Sequence, residues 1–297
     1  MPINFDEIID RRNTSCLKYD FAAERGYPAD ILPFWVADMD FRTPAPVIDA
    51  LKARATHGIF GYTQVKDDYF TVLQNWFRTR HDWTVERSDL IITPGVVFAI
   101  ANAIRAFTKK GESILIQQPV YYPFANMIRQ NERVLVDSPL RLIEGHYEID
   151  FEDFEQKIIA HSVKLFILCS PHNPVGRVWT RAELEQLAAV CLRHNVIVVA
   201  DEIHEEFVRP GFRHIPFASL SADAAAITVT APVAGVITKR QHQSRTPIAA
   251  GELLMEMGDP AQLEIEADIL SADAVRLAPG TRAHIRHWGG DDLGATV

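Results

Sequence analysis

Four short segments combine chemically active groups with the glycines and prolines that fix a backbone. Thr93-Pro-Gly95-Val96-Val97 closes an apolar run and opens a helical pattern. Free backbone N–H groups at such a helix start form an anion site, and Gly95 lets an anion approach closely; a plain tight turn is the competing reading. Gln118-Pro119-Val120-Tyr121-Tyr122 offers an aromatic side chain either to stack on a flat ring or to pack in the core. In Ser170-Pro171-His172-Asn173-Pro174-Val175-Gly176 two prolines flank an asparagine, which fixes a turn and holds its amide out of the sheet, or simply makes a rigid loop. Asp201-Glu202-Ile203-His204 follows the apolar run Val196 to Ala200. A carboxylate at the end of a buried strand is costly without a cationic or hydrogen-bonded partner. Glu205 and Glu206 read as a solvated acidic loop.

The elements that position these segments are short and regular. Leu90-Ile91-Ile92, Ile114-Leu115-Ile116, Val134-Leu135-Val136, Leu165 to Leu168 and Val196 to Val199 are continuous apolar runs, each followed by a helical pattern. Runs of that kind are what a parallel sheet covered on both faces requires, and the alternation predicts an α/β, doubly wound, mostly parallel fold with ligands at the carboxyl ends of the strands. Upstream, Thr43 and Pro44 suit the N-cap and first residue of a helix whose apolar face is Val47, Ile48, Leu51 and Ala55. A second amphipathic stretch carries Tyr69, Val72, Leu73, Trp76 and Phe77. After Thr230 the texture changes. Leu263, Ile265, Ala267 and Ile269 alternate with Glu264, Glu266 and Asp268, the period of a half-buried antiparallel strand, and Gly258-Asp-Pro260 and Pro279-Gly280 read as turns.

Composition narrows the function class. The 297 residues are 47% hydrophobic and 23% charged, which excludes disorder as the main state. The net charge of −9 argues against nucleic-acid coating and polybasic membrane contact. No apolar run reaches the ~18 residues of a membrane helix, and the acidic start lacks an apolar leader core. Cys16, Cys169 and Cys191 are too few and too far apart for a disulfide framework, so a cytoplasmic setting is expected. No metal site is expected: His204-Glu-Glu lacks the second histidine of the His-Glu-x-x-His motif, and Cys191 and His194 read as parts of an ordinary helix.

In this order and at these spacings the four segments resemble the fold-type I aminotransferase superfamily, which uses pyridoxal phosphate (PLP). Phe34-Trp-Val-Ala-Asp-Met-Asp-Phe41, Gly61-Tyr62-Thr63 and the histidine of Asp-Glu-Ile-His are similar to its cystathionine β-lyase branch, over about residues 1 to 232. The resemblance implies that Asp201 keeps the pyridine nitrogen protonated, Asn173 hydrogen-bonds the phenolic oxygen and Tyr121 stacks on the ring. It further implies that Gly95, Val96 and Val97 bind the phosphate, that Tyr62 completes this from a neighbouring subunit of a homodimer, and that His204 packs beside Asp201. The implied reaction is loss of a β-thiol from cystathionine or a cysteine conjugate, giving pyruvate and ammonia. Transamination, or a non-catalytic fold that only binds cofactor or protein, are the alternatives.

Two departures qualify this expectation. The family's Schiff-base lysine follows shortly after Thr-Ala-Pro; here Thr230-Ala231-Pro232 is followed by Val233-Ala234, so Ala234 stands in the lysine position. Lys239, five residues further on, is a weak substitute. Residues of about 231 to 297 resemble instead part of a membrane-fusion (periplasmic adaptor) protein, through Leu263-Glu-Ile-Glu-Ala-Asp-Ile-Leu-Ser, Asp273-Ala-Val-Arg and Trp288-Gly-Gly. The expected organisation is a truncated PLP-transferase-like domain over 1–232 and a β-rich tail over 233–297, from a recombined, truncated or misassembled gene joined near Pro232. Missing helices would leave part of the sheet uncovered, so the chain expressed alone is predicted to be poorly soluble. Size-exclusion chromatography with light scattering checks this, and a monodisperse, cooperatively unfolding species would contradict it.

Overall fold

The structure, a computed structural model, describes residues 4–35, 38–233, 236–238, 282–285 and 293–296. It divides into two compact units, Met1–Lys66 and Asp67–Val297. In the first, helix α1 (Ala45–His57) starts one residue later than the sequence suggests: Pro44 is the N-cap and Gly58, at φ +74°, ends the helix. The expected apolar face is not buried, since Val47 and Leu51 are exposed. Order in this unit comes instead from charge. Asp38 and Asp40 of the Trp-Val-Ala-Asp-Met-Asp-Phe run grip the Arg11 guanidinium at 2.6 and 2.7 Å, and buried Lys18 meets Asp40 at 3.2 Å.

The second unit is built on a seven-stranded sheet. In chain order its strands are β1 (Leu90–Ile92), β2 (Ser113–Ile116), β3 (Val134–Asp137), β6 (Leu165–Cys169), β7 (Ile197–Asp201), β8 (Thr228–Val233) and β9 (Val236–Thr238). Across the sheet the order is β1-β9-β8-β7-β6-β2-β3. Pairing is parallel from β3 through β8. It turns antiparallel at β9, which pairs with both β8 and β1. Leu90–Ile92 is therefore an antiparallel edge strand, unlike the other apolar runs, and its burial falls away along its length. The sheet continues through β8 and β9 past residue 232, where the sequence reading places a boundary. Two hairpins stand apart, β4 (Arg141–Ile143) with β5 (His146–Glu148) and β10 (Arg282–Ile285) with β11 (Leu293–Thr296). The expected strand at 263–269 lies outside the described residues.

The period of two along each strand sorts the core into two layers. Leu115, Phe166, Leu168, Val198 and Ala200 face α5 (Phe151–His161) and α6 (Arg181–Arg193), with Phe154, Leu184, Leu187 and Cys191 filling the layer. Ile114, Ile116, Leu165, Ile167, Cys169 and Val199 face α3 (Val96–Phe107) and α4 (Pro123–Gln130). Helix α2 (Asp67–His81) buries Phe70, Leu73, Phe77 and His81, while Tyr69, Val72 and Trp76 of the expected face stay exposed. Two overlapping apolar stripes share this helix, and the one reaching Val85 and Leu90 is packed. A short α7 (Ala222–Ala226) precedes β8. No helix among the described residues is long and apolar enough to cross a membrane.

Trp179 ties the layer to the strand ends: it is 1% exposed, and its Nε1–H donates to the Cys169 carbonyl at 3.0 Å. Trp179→Phe removes that donor and some packing, and should lower stability by about 1–3 kcal/mol in urea unfolding.

Candidate functional site

In-register parallel pairing of β6 with β7 sets Cys169 opposite Asp201. Both strands run through the two-layered core, so both residues arrive buried. Asp201 is 3% exposed, and its Oδ1 accepts the Ile203 N–H at 3.1 Å. Burial, only partly opposed by that hydrogen bond and reinforced by the charge of Glu202, pushes its carboxyl up to about 7. The cationic or richly hydrogen-bonded partner that a buried carboxylate needs is thus not supplied by neighbouring side chains among the described residues. A cation placed against it would lower its pKa again.

The loop after β6 folds back sharply. The His172 N–H donates to Arg177 O and the Gly176 N–H to His172 O, both at 2.8 Å, with Gly176 in the left-handed region at φ +73°. Ser170-Pro171 and Asn173-Pro174 are cis. Inside this loop the Asn173 N–H points to Cys169 Sγ at 3.4 Å, which fixes the asparagine over the end of β6. His172 is buried, and burial pulls its pKa down to about 4. A neutral ring results, with Nε2–H donating to the Pro119 carbonyl at 3.1 Å. That bond joins the Asn173 loop to the Tyr121 loop. Tyr121 is exposed, edge-on to Phe124 at 6.0 Å between centroids. Its hydroxyl pKa is raised by burial, then by Tyr122 and Asp201.

Gly95 is the N-cap of α3, in an extended conformation, and no side chain caps the helix. The first amides after it, those of Val96 and Val97, are therefore left to an external acceptor. A Cβ placed on Gly95 would meet nothing within 4 Å, so open space and not packing surrounds it. Val96 packs on the layer that holds Cys169 and Val199, and so does Val120 beside Tyr121. Gly95, Val96, Val97, Tyr121 and Asn173 thus follow strands of one sheet, and Asp201 ends another of its strands. His204 is half-buried, with its pKa lowered by burial. Tyr62 is fully exposed in the first unit. Ala234 and Lys239 lie outside the described residues.

Three features escape the sequence reading. Gln117 closes β2 with both amide atoms buried and unpartnered among the described residues; its one signal is a polar residue directly ending an apolar run. Thr230 is fully buried with Oγ1 unpartnered. Glu205 is not solvated: it is 2% exposed, and burial with the Glu202 and Glu206 charges pushes its carboxyl up to about 9. Only Glu206 keeps partial exposure, and it is paired with Arg80 at 2.6 Å.

The aminotransferase class I and II family matches residues 29–231. Among curated relatives, cystathionine beta-lyase PatB of Bacillus subtilis (strain 168) is 46% identical over 228 residues, 77% of this chain and 59% of the relative. Protein MalY of Escherichia coli (strain K12) is 36% identical over 219 residues, 73% of this chain and 56% of the relative. Among solved structures, cystalysin from Treponema denticola, which contains a pyridoxal 5'-phosphate cofactor, is similar with a TM-score of 0.76 and 34% identity, covering 82% of this chain and 65% of that one. The chain therefore spans a little over half the length of the curated relatives it matches.

Asp201 gives a pH-dependent prediction. Between about pH 4 and 7 the folded chain holds a proton on Asp201 that the unfolded chain releases, so this group's contribution to stability falls as pH rises through that window and is level above it. Asp201→Asn lacks the group. Relative to the unsubstituted chain it should gain stability, on the order of a few kcal/mol, across the window; urea unfolding of both at a series of pH values measures the difference.

Proposed function

Because the chain belongs to the aminotransferase class I and II family, we propose that it binds PLP and is the cofactor-binding part of a carbon–sulfur β-lyase. The proposed substrate is cystathionine or a cysteine conjugate, and the products are pyruvate, ammonia and a thiol. The observation that carries the cofactor reading is the buried Asp201 carboxylate, which has a backbone N–H but, among the described residues, no cation beside it. A protonated pyridine nitrogen supplies that cation. The uncapped start of α3, with open space at Gly95, suits a phosphate. The lyase reading is supported by the likeness to PatB.

Bound there, PLP supplies an electron sink for the carbanion formed at the substrate Cα. The chain's own residues set that sink. Asp201 would hold the proton on the ring nitrogen, at a position shielded from water. Asn173, braced on Cys169, would donate to the phenolic oxygen. Tyr121 would stack on the ring, and His204 would pack beside Asp201. The amides of Gly95, Val96 and Val97 would take the phosphate, completed by the partner subunit's Tyr62 in a homodimer. A cytoplasmic setting belongs to the same proposal, supported by Cys16, Cys169 and Cys191 standing as free thiols.

Ala234 favours a second reading, a chain that keeps the cofactor site but turns over poorly. Alanine can neither bond the cofactor aldehyde nor take a proton from Cα. The division into 1–232 and an adaptor-like 233–297 is likewise a proposal resting on sequence motifs, and the family match ends at residue 231.

Equilibrium dialysis with PLP, followed by borohydride reduction and peptide mass spectrometry, tests the proposal. The chain should bind PLP saturably, and Asp201→Asn should weaken binding by about tenfold or more. No single lysine should carry stoichiometric pyridoxyl label, whereas Ala234→Lys should be labelled at that position and form more pyruvate from cystathionine. Equal binding by Asp201→Asn would refute the cofactor site; stoichiometric label on Lys239 would refute impaired turnover.

A further inference from the structure

Helix α2 and the turn after β7 meet at a group of side chains that the cofactor site does not use. His81, the last residue of α2, points Nε2 at Glu206 Oε1, 3.1 Å away, and at Glu205 Oε1, 3.6 Å away. One ligand atom from each of the three residues lies within 4.8 Å of the others. Glu206 turns its second oxygen to Arg80. Glu205 has no such help: it is 98% buried, given its 2% exposure, and its Oε2 has no hydrogen-bond partner among the described residues. Behind them Glu202 is already engaged, with Oε1 accepting the Phe217 N–H at 2.7 Å and lying 3.6 Å from His214 Nε2.

We propose that His81 Nε2 and one carboxylate oxygen each from Glu205 and Glu206 bind a zinc-class divalent cation. Ligand atoms about 2.0–2.2 Å from a tetrahedral zinc ion stand roughly 3.3 Å from one another, which the two distances from His81 bracket. The two carboxylates stand side by side and share one guanidinium, so a compact cation is a partner that both can face. The imidazole selects zinc and its transition-metal neighbours over magnesium, which prefers oxygen and keeps its water. Three protein ligands leave a fourth position for water. The ion would clip the end of α2 to the turn that leaves β7, four residues beyond Asp201. Sequence spacing hides the site, because 124 positions separate His81 from Glu205.

The test uses the full chain without PLP, stripped with a chelator and dialysed. Zinc chloride is titrated against a chromophoric competitor, with metal content read by mass spectrometry and thermal unfolding followed in parallel. One zinc per chain is expected, with a rise in Tm as binding to the folded state requires. Glu205→Gln, which keeps the side-chain shape, and His81→Gln should each lower affinity by about tenfold or more. His194→Gln, at the separate Glu155 pair, should bind as the unsubstituted chain does. Circular dichroism checks that each variant folds, and Glu205→Gln stands as the deciding variant if His81→Gln does not. Failure to bind zinc, unchanged affinity in Glu205→Gln, or tighter binding of magnesium than zinc would overturn the proposal.

Discussion

A strand buried on both faces ends in a carboxylate, and much of the second unit is arranged around that fact. Asp201 cannot reach bulk water because β7 lies between β6 and β8, with helices packed on the alternate side chains of either face. Its neighbours provide one backbone N–H and a second negative charge at Glu202. Such a group is held in place by the surrounding packing and not by its own interactions. The same parallel register that buries it sets Cys169 alongside, and Cys169 receives both the Asn173 N–H and, through its carbonyl, the Trp179 indole. The loops at this end of the sheet are therefore tied to the strand ends they leave, which is the rigidity that a site assembled from several loops needs.

What the sequence makes legible follows from how local each feature is. The central strands are visible because a strand covered on both faces has no polar alternation, and β2, β6 and β7 are continuous apolar runs. The order of the four chemical segments along the chain is equally local. Harder to see is anything decided by a choice between neighbours. On α2 the row Phe70, Leu73, Phe77 and His81 overlaps the row Tyr69, Val72 and Trp76, and only the position of Val85 and Leu90 decides which is buried. On α1, Pro44 satisfies the requirements of an N-cap or of a first helical residue, so its boundary moves by one.

Glu205 shows the limit most clearly. In sequence it stands beside Glu206 after a histidine, a run that reads as solvated. In the structure the turn after β7 hydrogen-bonds back on itself, Glu205 N–H to Glu202 O at 2.8 Å, and this curls Glu205 inward toward His81 while Glu206 stays at the surface with Arg80. No local rule separates two adjacent glutamates in this way. The distinction comes from α2, a distant element whose terminal arginine and histidine both bond Glu206, while Glu205 lies 3.6 Å from the histidine.

Asp201 and Glu205 are both buried acids within five residues of chain, yet they pose different chemical problems. Asp201 has one donor, an exposed aromatic ring nearby and an uncapped helix on the same sheet, so its surroundings suit a flat cation that also carries an anion. Glu205 has an imidazole and a second carboxylate, which suits a compact cation. The residues proposed to hold a cofactor ring and phosphate all lie before residue 231, in the part of the chain the family matches. Ala234, where the resemblance places the lysine, lies after it. In this proposal, holding the cofactor and moving the substrate proton belong to different stretches of sequence, so the physical basis of the first does not depend on the second.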